Sequence, residues 1–157
     1  MTGPLLKISP TGIALIKYFQ GLSLEKYRDE SGLWVIGFGH IISQPDISPR
    51  IITSAQAERL LHDDIFQCEA FLRKIIPTAL PQEKHDALVS LIFSCGASGC
   101  LKTGILQEVA QGRYAEATSL WRNALTLNGK KIESLAAQRQ AECALFNAGI
   151  ADYAARV

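Results

Sequence analysis

The chain has 157 residues, of which 48% are hydrophobic and 20% are charged, and its formal net charge at pH 7 is +1. These values are typical of one globular domain with a substantial core, and they exclude an intrinsically disordered chain. The near-neutral charge excludes strong long-range attraction to nucleic acid or to anionic surfaces. The sequence also has no phosphate-binding loop and no basic, aromatic-rich face, so no nucleotide or nucleic-acid partner is predicted.

The first predicted helix runs from Pro10 to about Gly21, with Ser9 or Thr11 as its N-cap. Four apolar residues recur in it at helical spacing: Ile13, Leu15, Ile16 and Phe19. The next region, Tyr27–Ile42, is rich in glycine and aromatic residues. Its alternating run, residues 34–38, predicts a small β-hairpin or meander with residues 29–32 in the turn.

Beyond residue 50 the pattern is helical. Thr53 begins a long amphipathic helix, and Pro81 begins another, which the glycines at positions 96, 99 and 104 interrupt. The core stripe of the first of these helices is predicted to contain Leu60, Leu61, Ile65 and Phe71. The remaining predicted elements are short helices over Ile105–Ala110 and Tyr114–Trp121, a turn at Asn128-Gly129, and a last helix from about Glu133 to Phe146.

Together these elements predict an α+β fold that is mainly helical and has two lobes within a single domain, residues 1–157. The small β-containing lobe covers about residues 10–50, and the helical lobe covers about residues 51–157. A cleft between two such lobes is a favourable place for a polymer to bind.

No metal site or cofactor is predicted. The four cysteines, Cys68, Cys95, Cys100 and Cys143, match no zinc-binding spacing. Cys95 and Cys100 are close enough in sequence for a loop disulfide in an oxidising compartment. Four reduced, partly buried thiols are the favoured interpretation.

A specific signature starts where the first helix ends, at Gln20-Gly21, and continues through residues 27–29 and 32–40. This stretch resembles the catalytic signature of the phage-type lysozymes, glycoside hydrolase family 24. That signature reads Glu-Gly, then Tyr-x-Asp-x-x-Gly-x-x-Thr, then Ile-Gly-Tyr-Gly-His. Segments 86–96 and 134–142 also resemble the family, so the resemblance covers essentially the whole chain and implies a lysozyme-like fold.

The resemblance also implies a chemistry, the inverting hydrolysis of the MurNAc–GlcNAc β-1,4 bond of peptidoglycan. In the family the Glu is the general acid, the Asp is the general base, and the Thr helps to hold the attacking water. At the matching positions this chain has Gln20, Asp29 and Val35. An amide has no acidic proton to give and valine has no hydroxyl group, so we expect muramidase activity to be very low or absent.

Other positions follow from the same resemblance. Ser94 replaces an Asn of the family pattern, and Gln138 replaces a basic residue that lies close to the catalytic Glu, so both are expected beside the substrate. His40 is interpreted as structural, with hydrogen bonds behind the cleft. Glu25 and Glu30 are interpreted as solvated charges, although Glu25 is the alternative candidate for a replacement acid.

Three functions remain open at this point. The favoured one is a non-catalytic module that binds peptidoglycan or muropeptides, or that acts as a scaffold or regulator through a protein partner or self-assembly. The second is a weakly active endolysin, and the third is a lysozyme-like fold with no connection to the cell wall. The sequence has no apolar run of ~20 residues and no secretory signal pattern. We therefore expect a chain without a membrane segment that is cytoplasmic as encoded and reaches the wall through a holin, an exporter or a flanking segment.

Overall fold

A computed structural model of the chain describes residues 5–156, with side chains described for residues 5–148. Residues 1–4, part of the segment considered above for a secretory signal, lie outside the described residues. The elements in chain order are α1 (Pro10–Gln20), β1 (Ser23–Arg28), β2 (Trp34–Gly37), β3 (His40–Ile41), α2 (Ser54–Ile75), α3 (Gln82–Thr103), α4 (Ile105–Ala110), α5 (Tyr114–Arg122), β4 (Thr126–Leu127), β5 (Lys130–Lys131) and α6 (Leu135–Arg156). The predicted α+β, mainly helical class is confirmed.

Helix α1 begins at Pro10 because Ser9 caps it, with the Ser9 side chain accepting a hydrogen bond from the Gly12 amide. The following sheet is antiparallel with the order β1-β2-β3. Strand β1 starts at Ser23, four residues before Tyr27, where the predicted β region begins. The early part of β1 has a second partner besides β2, because an isolated bridge pairs Glu25 with Ile51.

Helix α2 starts at the predicted cap. Thr53 and Gln56 form a reciprocal capping box, which satisfies two backbone donors at the helix start. Of the predicted core stripe, Leu61 and Ile65 are buried, and Leu60 and Phe71 are partly buried against the same core. The sheet packs on this helix where β2 ends, and Gly37 lies there against Ala57 with a positive φ of 68°.

Helix α3 runs through the centre of the core, and every residue from Lys84 to Ile92 in it is buried. Gly96 kinks the helix with a φ of 75°, and Gly104 ends it in the left-handed conformation, as predicted. The prediction that Gly99 also interrupts the helix is wrong, since Gly96 is the position inside α3 with non-helical backbone angles.

The predicted turn at Asn128-Gly129 joins two strands, β4 and β5, that the sequence analysis missed. Both turn residues have positive φ, 49° for Asn128 and 74° for Gly129, which is typical of a tight hairpin. The last helix starts at Leu135 and extends to Arg156, ten residues beyond its predicted end.

Helix α1 lies against α3 at a very close approach centred on Gly12. A Cβ atom added to Gly12 would lie 2.6 Å from Cγ1 of Ile8 and 2.8 Å from Cγ of Asp86. Asp86 is fixed there, because it accepts hydrogen bonds from the Ser9 amide and hydroxyl and from Gln82. The two-lobe division at about residue 50 stays a prediction, with α1 in contact with the helical part of the chain.

We therefore expect Gly12→Ala to lower the free energy of unfolding by about 1–3 kcal/mol, the usual cost of overpacking. This sign is opposite to helix propensity, which favours Ala over Gly by ~1 kcal/mol. Urea denaturation measures the difference. Ala14→Gly, at an exposed position of the same helix, is the control and should cost only about 1 kcal/mol. A Gly12→Ala protein as stable as its parent would contradict the close approach.

Candidate functional site

A groove of about 550 Å³ lies between the sheet and the helices. Its lining comes from the end of α1, the strands and turn of the sheet, the kink of α3, the β4–β5 hairpin and the start of α6. It continues on one side into a groove of about 420 Å³ and on the other into one of about 720 Å³, with shared lining residues at both junctions. The three grooves are therefore neighbours on the surface and share part of their lining.

Gln20 is the last residue of α1, and its half-buried side chain reaches into the groove beside Gly39. A Cβ atom added to Gly39 would overlap the Gln20 carboxamide, so the bare glycine makes room for the side chain at position 20. A carboxamide both donates and accepts hydrogen bonds, but it has no acidic proton for a leaving group. The end of α1 therefore presents a hydrogen-bonding side chain without an acidic proton.

Asp29 lines the same groove, and it also builds the β1–β2 turn. Its Oδ1 accepts hydrogen bonds from Ser31 Oγ at 2.6 Å and from the Leu33 amide at 3.0 Å. Its own amide donates to the Leu33 carbonyl at 2.9 Å. These bonds make Asp29 the polar centre of the turn, as the sequence predicted, and one carboxylate oxygen is engaged in that task.

Val35 is 3% exposed and lies at the centre of an apolar row. The register of the sheet pairs it with Tyr27 on one side and with Ile41 on the other, and all three residues line the groove. The sheet therefore offers hydrocarbon and an aromatic ring between Gln20 and Asp29. A water molecule held there would have no hydroxyl partner at position 35.

Ser94 and Gln138 line the opposite wall, where both are tied into a buried network. The centre of this network is an ion pair between Arg139 and Glu142, with 3.0 Å between Nη1 and Oε1 and both side chains 0% exposed. Arg139 Nη2 donates to Ser94 Oγ at 3.0 Å, and Gln138 Nε2 donates to Glu142 Oε2 at 3.2 Å. Glu142 also accepts from Ser90 Oγ and Trp121 Nε1, so its carboxylate is fully satisfied.

Gln20 and Gln138 are thus brought into one groove, but within the described part of the chain no hydrogen bond joins them. The amide of Gln138 is directed to Glu142, one turn along its own helix. Arg139 and Glu142, the charged centre of this wall, are not among the site residues predicted from the sequence. Their spacing of three residues on a helix that also carries core residues is the signal that could have identified them.

The two acidic residues near Asp29 differ in their surroundings. Glu25 is exposed and pairs with Arg50 at 2.9 Å, and it does not line the groove. Glu30 is also exposed, but it lines the groove and accepts a hydrogen bond from Ser134 at 3.2 Å. Of the two, Glu30 is therefore the carboxylate close to the site.

His40 contacts α2 through a hydrogen bond of 2.8 Å between its Nδ1 and Asp64 Oδ2. This hydrogen bond raises the pKa of His40 above its ordinary value, against the opposing effect of partial burial, and the charges of Asp64 and Asp63 add to the increase. The pair lines the 420 Å³ groove, next to the part that holds Gln20. A structural role for His40 remains the prediction.

The described residues contain no cluster of three or more His, Cys, Asp or Glu side chains that could hold a metal ion. All four cysteines are free thiols, and burial raises the pKa of Cys68 and of Cys100 to about 12 and that of Cys143 to about 11. These thiols are therefore protonated at neutral pH and weakly nucleophilic. None of the described helices has the length and apolarity that crossing a bilayer requires.

Comparison with known proteins identifies the family. The family model described as phage lysozyme matches residues 17–142, which include all six site positions predicted above. The chain belongs to the phage lysozyme family. Its similarity to the endolysin of Acyrthosiphon pisum secondary endosymbiont phage 1 is 36% identity over 148 residues, or 90% of this chain and 98% of that endolysin.

This phage lysozyme family member is also similar to a longer endolysin and to a solved muramidase domain. The endolysin of Bacillus phage PZA is 35% identical over 147 residues, which are 92% of this chain but 56% of that longer protein. Among solved structures, the muramidase domain of SpmX from Asticaccaulis excentricus has a TM-score of 0.76 and 32% identity. That match covers 90% of this chain and 98% of the other. The lysozyme-like fold that the signature implied is confirmed.

The buried ion pair predicts a large stability effect. Arg139→Met leaves the Glu142 carboxylate buried without its cation, and we expect a loss of about 3–5 kcal/mol in the free energy of unfolding. Adding Glu142→Gln to this variant should recover part of the loss, since the uncompensated charge is gone. Lys131→Met, which removes one partner of an exposed ion pair, is the control and should cost less than about 1 kcal/mol. Equal effects of Arg139→Met and Lys131→Met in urea denaturation would refute this account.

The pair of His40 and Asp64 predicts a pH dependence. Because the folded pKa of His40 is raised, the charged pair stabilises the folded state fully below the ordinary value of 6.5, and this contribution is lost as the pH rises through the folded pKa. Asp64→Asn should therefore cost about 1 kcal/mol at pH 5.5 and less at pH 8.5. Urea unfolding at both values tests this. His62→Gln, at an exposed histidine of the same helix, should show little difference between them.

Proposed function

We propose that this member of the phage lysozyme family binds the glycan strand of peptidoglycan in its groove and does not hydrolyse it, and that it works as a binding, scaffolding or regulatory module. The observation that carries the proposal is the carboxamide of Gln20 at the end of α1, beside Gly39 and facing the same groove as Asp29.

The chemistry of inversion supports the absence of catalysis. The reaction needs a protonated carboxyl on one face of the sugar and an ionised carboxylate with a water molecule on the other. Gln20 supplies no proton, and general acid catalysis is worth roughly 10²–10⁴ in rate. Val35 supplies no hydroxyl for the water. Both deficits act on the same transition state, so the expected rate is far below that of a complete trio.

The rest of the groove supports binding. Tyr27 and Ile41, which are exposed on either side of the buried Val35, form an apolar strip on which the apolar face of a sugar ring can pack. Gln20 offers a donor and an acceptor beside that strip. On the opposite wall the Ser94 oxygen accepts from Arg139, which leaves the Ser94 hydroxyl hydrogen for a sugar oxygen. These contacts need no proton transfer.

A weakly active endolysin is the second candidate. Two observations favour it: several similar proteins are named endolysins, and the Glu30 carboxylate lines the groove next to Asp29. In this case Glu30 would replace the missing acid, and Glu30→Gln would abolish the residual activity. Glu25, the alternative considered from the sequence, is less suited because it pairs with Arg50 outside the groove.

The deciding experiment is the release of soluble muropeptides from purified sacculi by the parent protein and by Gln20→Glu/Val35→Thr. We expect a silent parent and an active double variant, since both replacements match the size of the residue present. Gln20→Glu alone, which leaves the water without its hydroxyl partner, is the matched control and should be less active than the double variant. Release by the parent would overturn the proposal, and its loss in Glu30→Gln would identify the replacement acid.

Binding is measured separately by NMR. Added muropeptides should shift the amide signals near Gln20, Asp29 and Ser94 in the parent protein. A groove that stays silent, together with assembly at rising protein concentration, would favour a scaffold that uses protein contacts and would exclude glycan binding as its function.

A further inference from the structure

The groove of about 720 Å³ lies between the end of α3, the end of α5 and the β4–β5 hairpin. It contains none of the site positions predicted from the sequence. It shares three lining residues with the 550 Å³ groove, here called the central groove: Leu33, Cys95 and Asn128. One extended polymer can therefore contact both grooves at once.

The charge around this 720 Å³ groove has one sign. Apart from Leu33, its lining comes from two chain segments, residues 95–103 and 120–129. The sequence has no Asp or Glu from residue 87 to 107 or from residue 117 to 132. Every charged side chain in these two segments is therefore basic, and the groove favours an anionic ligand.

The wall that belongs to α3 presents a hydroxyl group beside an ammonium group. Ser98 and Lys102 are four residues apart in the part of the helix that follows the kink at Gly96, so they are neighbours on one helix face. Both are exposed and line the groove. Neither side chain has a hydrogen-bond partner among the described residues, so the donors of both are available to a ligand.

The hairpin presents a second pair of the same kind. Thr126 of β4 is exposed and lines the groove. Lys131 of β5 is its partner in the antiparallel register, and paired residues project from the same face of a sheet. Lys131 also pairs with Glu133 at 3.4 Å, but these side chains are 69% and 83% exposed. Such a pair is worth less than about 1 kcal/mol, so an anionic ligand can replace the carboxylate.

We propose that the 720 Å³ groove binds a phosphate group, carried by a wall polymer whose sugar units lie in the central groove. Two hydroxyl and two ammonium groups suit the several oxygens of a phosphate, which accept more hydrogen bonds than a carboxylate does. The stem peptide of peptidoglycan suits the groove less, because it carries an ammonium group and no described lining residue is acidic. The phosphate site stands by itself, and its link to the sugar units rests on the proposed function.

The formal net charge of +1 is compatible with this site. At physiological ionic strength, exposed charges more than about 8 Å apart are largely screened, so Lys102 and Lys131 act on a phosphate that is already in the groove. Binding should therefore weaken as the salt concentration rises.

NMR titration tests the site with two probes, inorganic phosphate and a glycerol phosphate oligomer, at constant ionic strength. The oligomer should shift the amide signals of Ser98, Lys102 and Thr126. Unchanged signals, or a response to inorganic phosphate without one to the oligomer, would overturn the polymer as the ligand. A phosphate-free muropeptide that shifts these three signals as strongly as the oligomer would overturn the preference for phosphate.

The hairpin provides a matched pair of variants, Lys131→Gln and Lys130→Gln. Each removes one positive charge from β5, but Lys130 pairs with Leu127 and projects from the other face of the hairpin. We expect Lys131→Gln to weaken oligomer binding by about three- to tenfold, the effect of one exposed charged contact, and Lys130→Gln by about twofold or less. Equal losses in the two variants would overturn the site, since only the total charge would then matter.

Lys102→Gln tests the other wall and should weaken oligomer binding by a similar factor. Lys102 lies in the last turn of α3, where a cation also stabilises the helix end. Thermal unfolding checks that this variant is folded. If its stability is reduced, the comparison of Lys131→Gln with Lys130→Gln decides the outcome.

The phosphate site and the proposed function fail separately. Oligomer binding by a protein whose Gln20 and Asp29 signals do not respond to muropeptides would support the phosphate site and overturn glycan binding in the central groove. Muropeptide shifts at Gln20 and Asp29, together with no response of Ser98 and Lys102 to the oligomer, would overturn the phosphate site alone.

Discussion

The buried ion pair of Arg139 and Glu142 is the interaction on which the wall of the groove depends. Both side chains are 0% exposed, so neither charge has water as an alternative partner. The pair is stable because its remaining capacity is filled by groups from three other parts of the chain: Ser90 and Ser94 of α3, Trp121 of α5, and the carbonyl oxygen of Ala124. A network of this kind fixes the relative position of three elements far more narrowly than apolar contact alone.

On the opposite wall, two glycines lie at close contacts in addition to the hydrogen bond between His40 and Asp64. Gly37 brings the sheet onto α2 at Ala57, and Gly39 brings the following chain against the side chain at the end of α1. Both glycines have a positive φ, 68° for Gly37 and 70° for Gly39, which a residue with a side chain adopts only at a cost in free energy. The groove therefore lies between a wall with a fully buried ion pair and a wall in which two glycines provide positive backbone φ angles.

The helix ends and one tight turn could be predicted from the sequence, because each depends on residues that are neighbours along the chain. The cap at Thr53, the helix end at Gly104 and the turn at Asn128-Gly129 follow from residue chemistry within four positions. The start of β1 could not be predicted, since it depends on pairing with residues 50–52, far along the chain. The strands of the second hairpin are two residues each and have no periodicity to detect. The partner of Gln138 was missed for a third reason: a side-chain rotamer decides between Glu142 and the groove, and spacing alone does not determine a rotamer.

Asp29 both lines the groove and organises the β1–β2 turn, so its presence has two possible explanations. Its Oδ1 organises the turn through Ser31 and Leu33, so replacement of this carboxylate would disturb the hairpin even in a protein that catalyses nothing. Selection for a correctly folded turn is enough to preserve it. The presence of this aspartate is therefore explained by the architecture of the turn and is not by itself evidence of catalysis. In the described part of the chain the Gln20 side chain makes no hydrogen bond that organises a turn, so a replacement at the end of α1 would leave the hairpin intact.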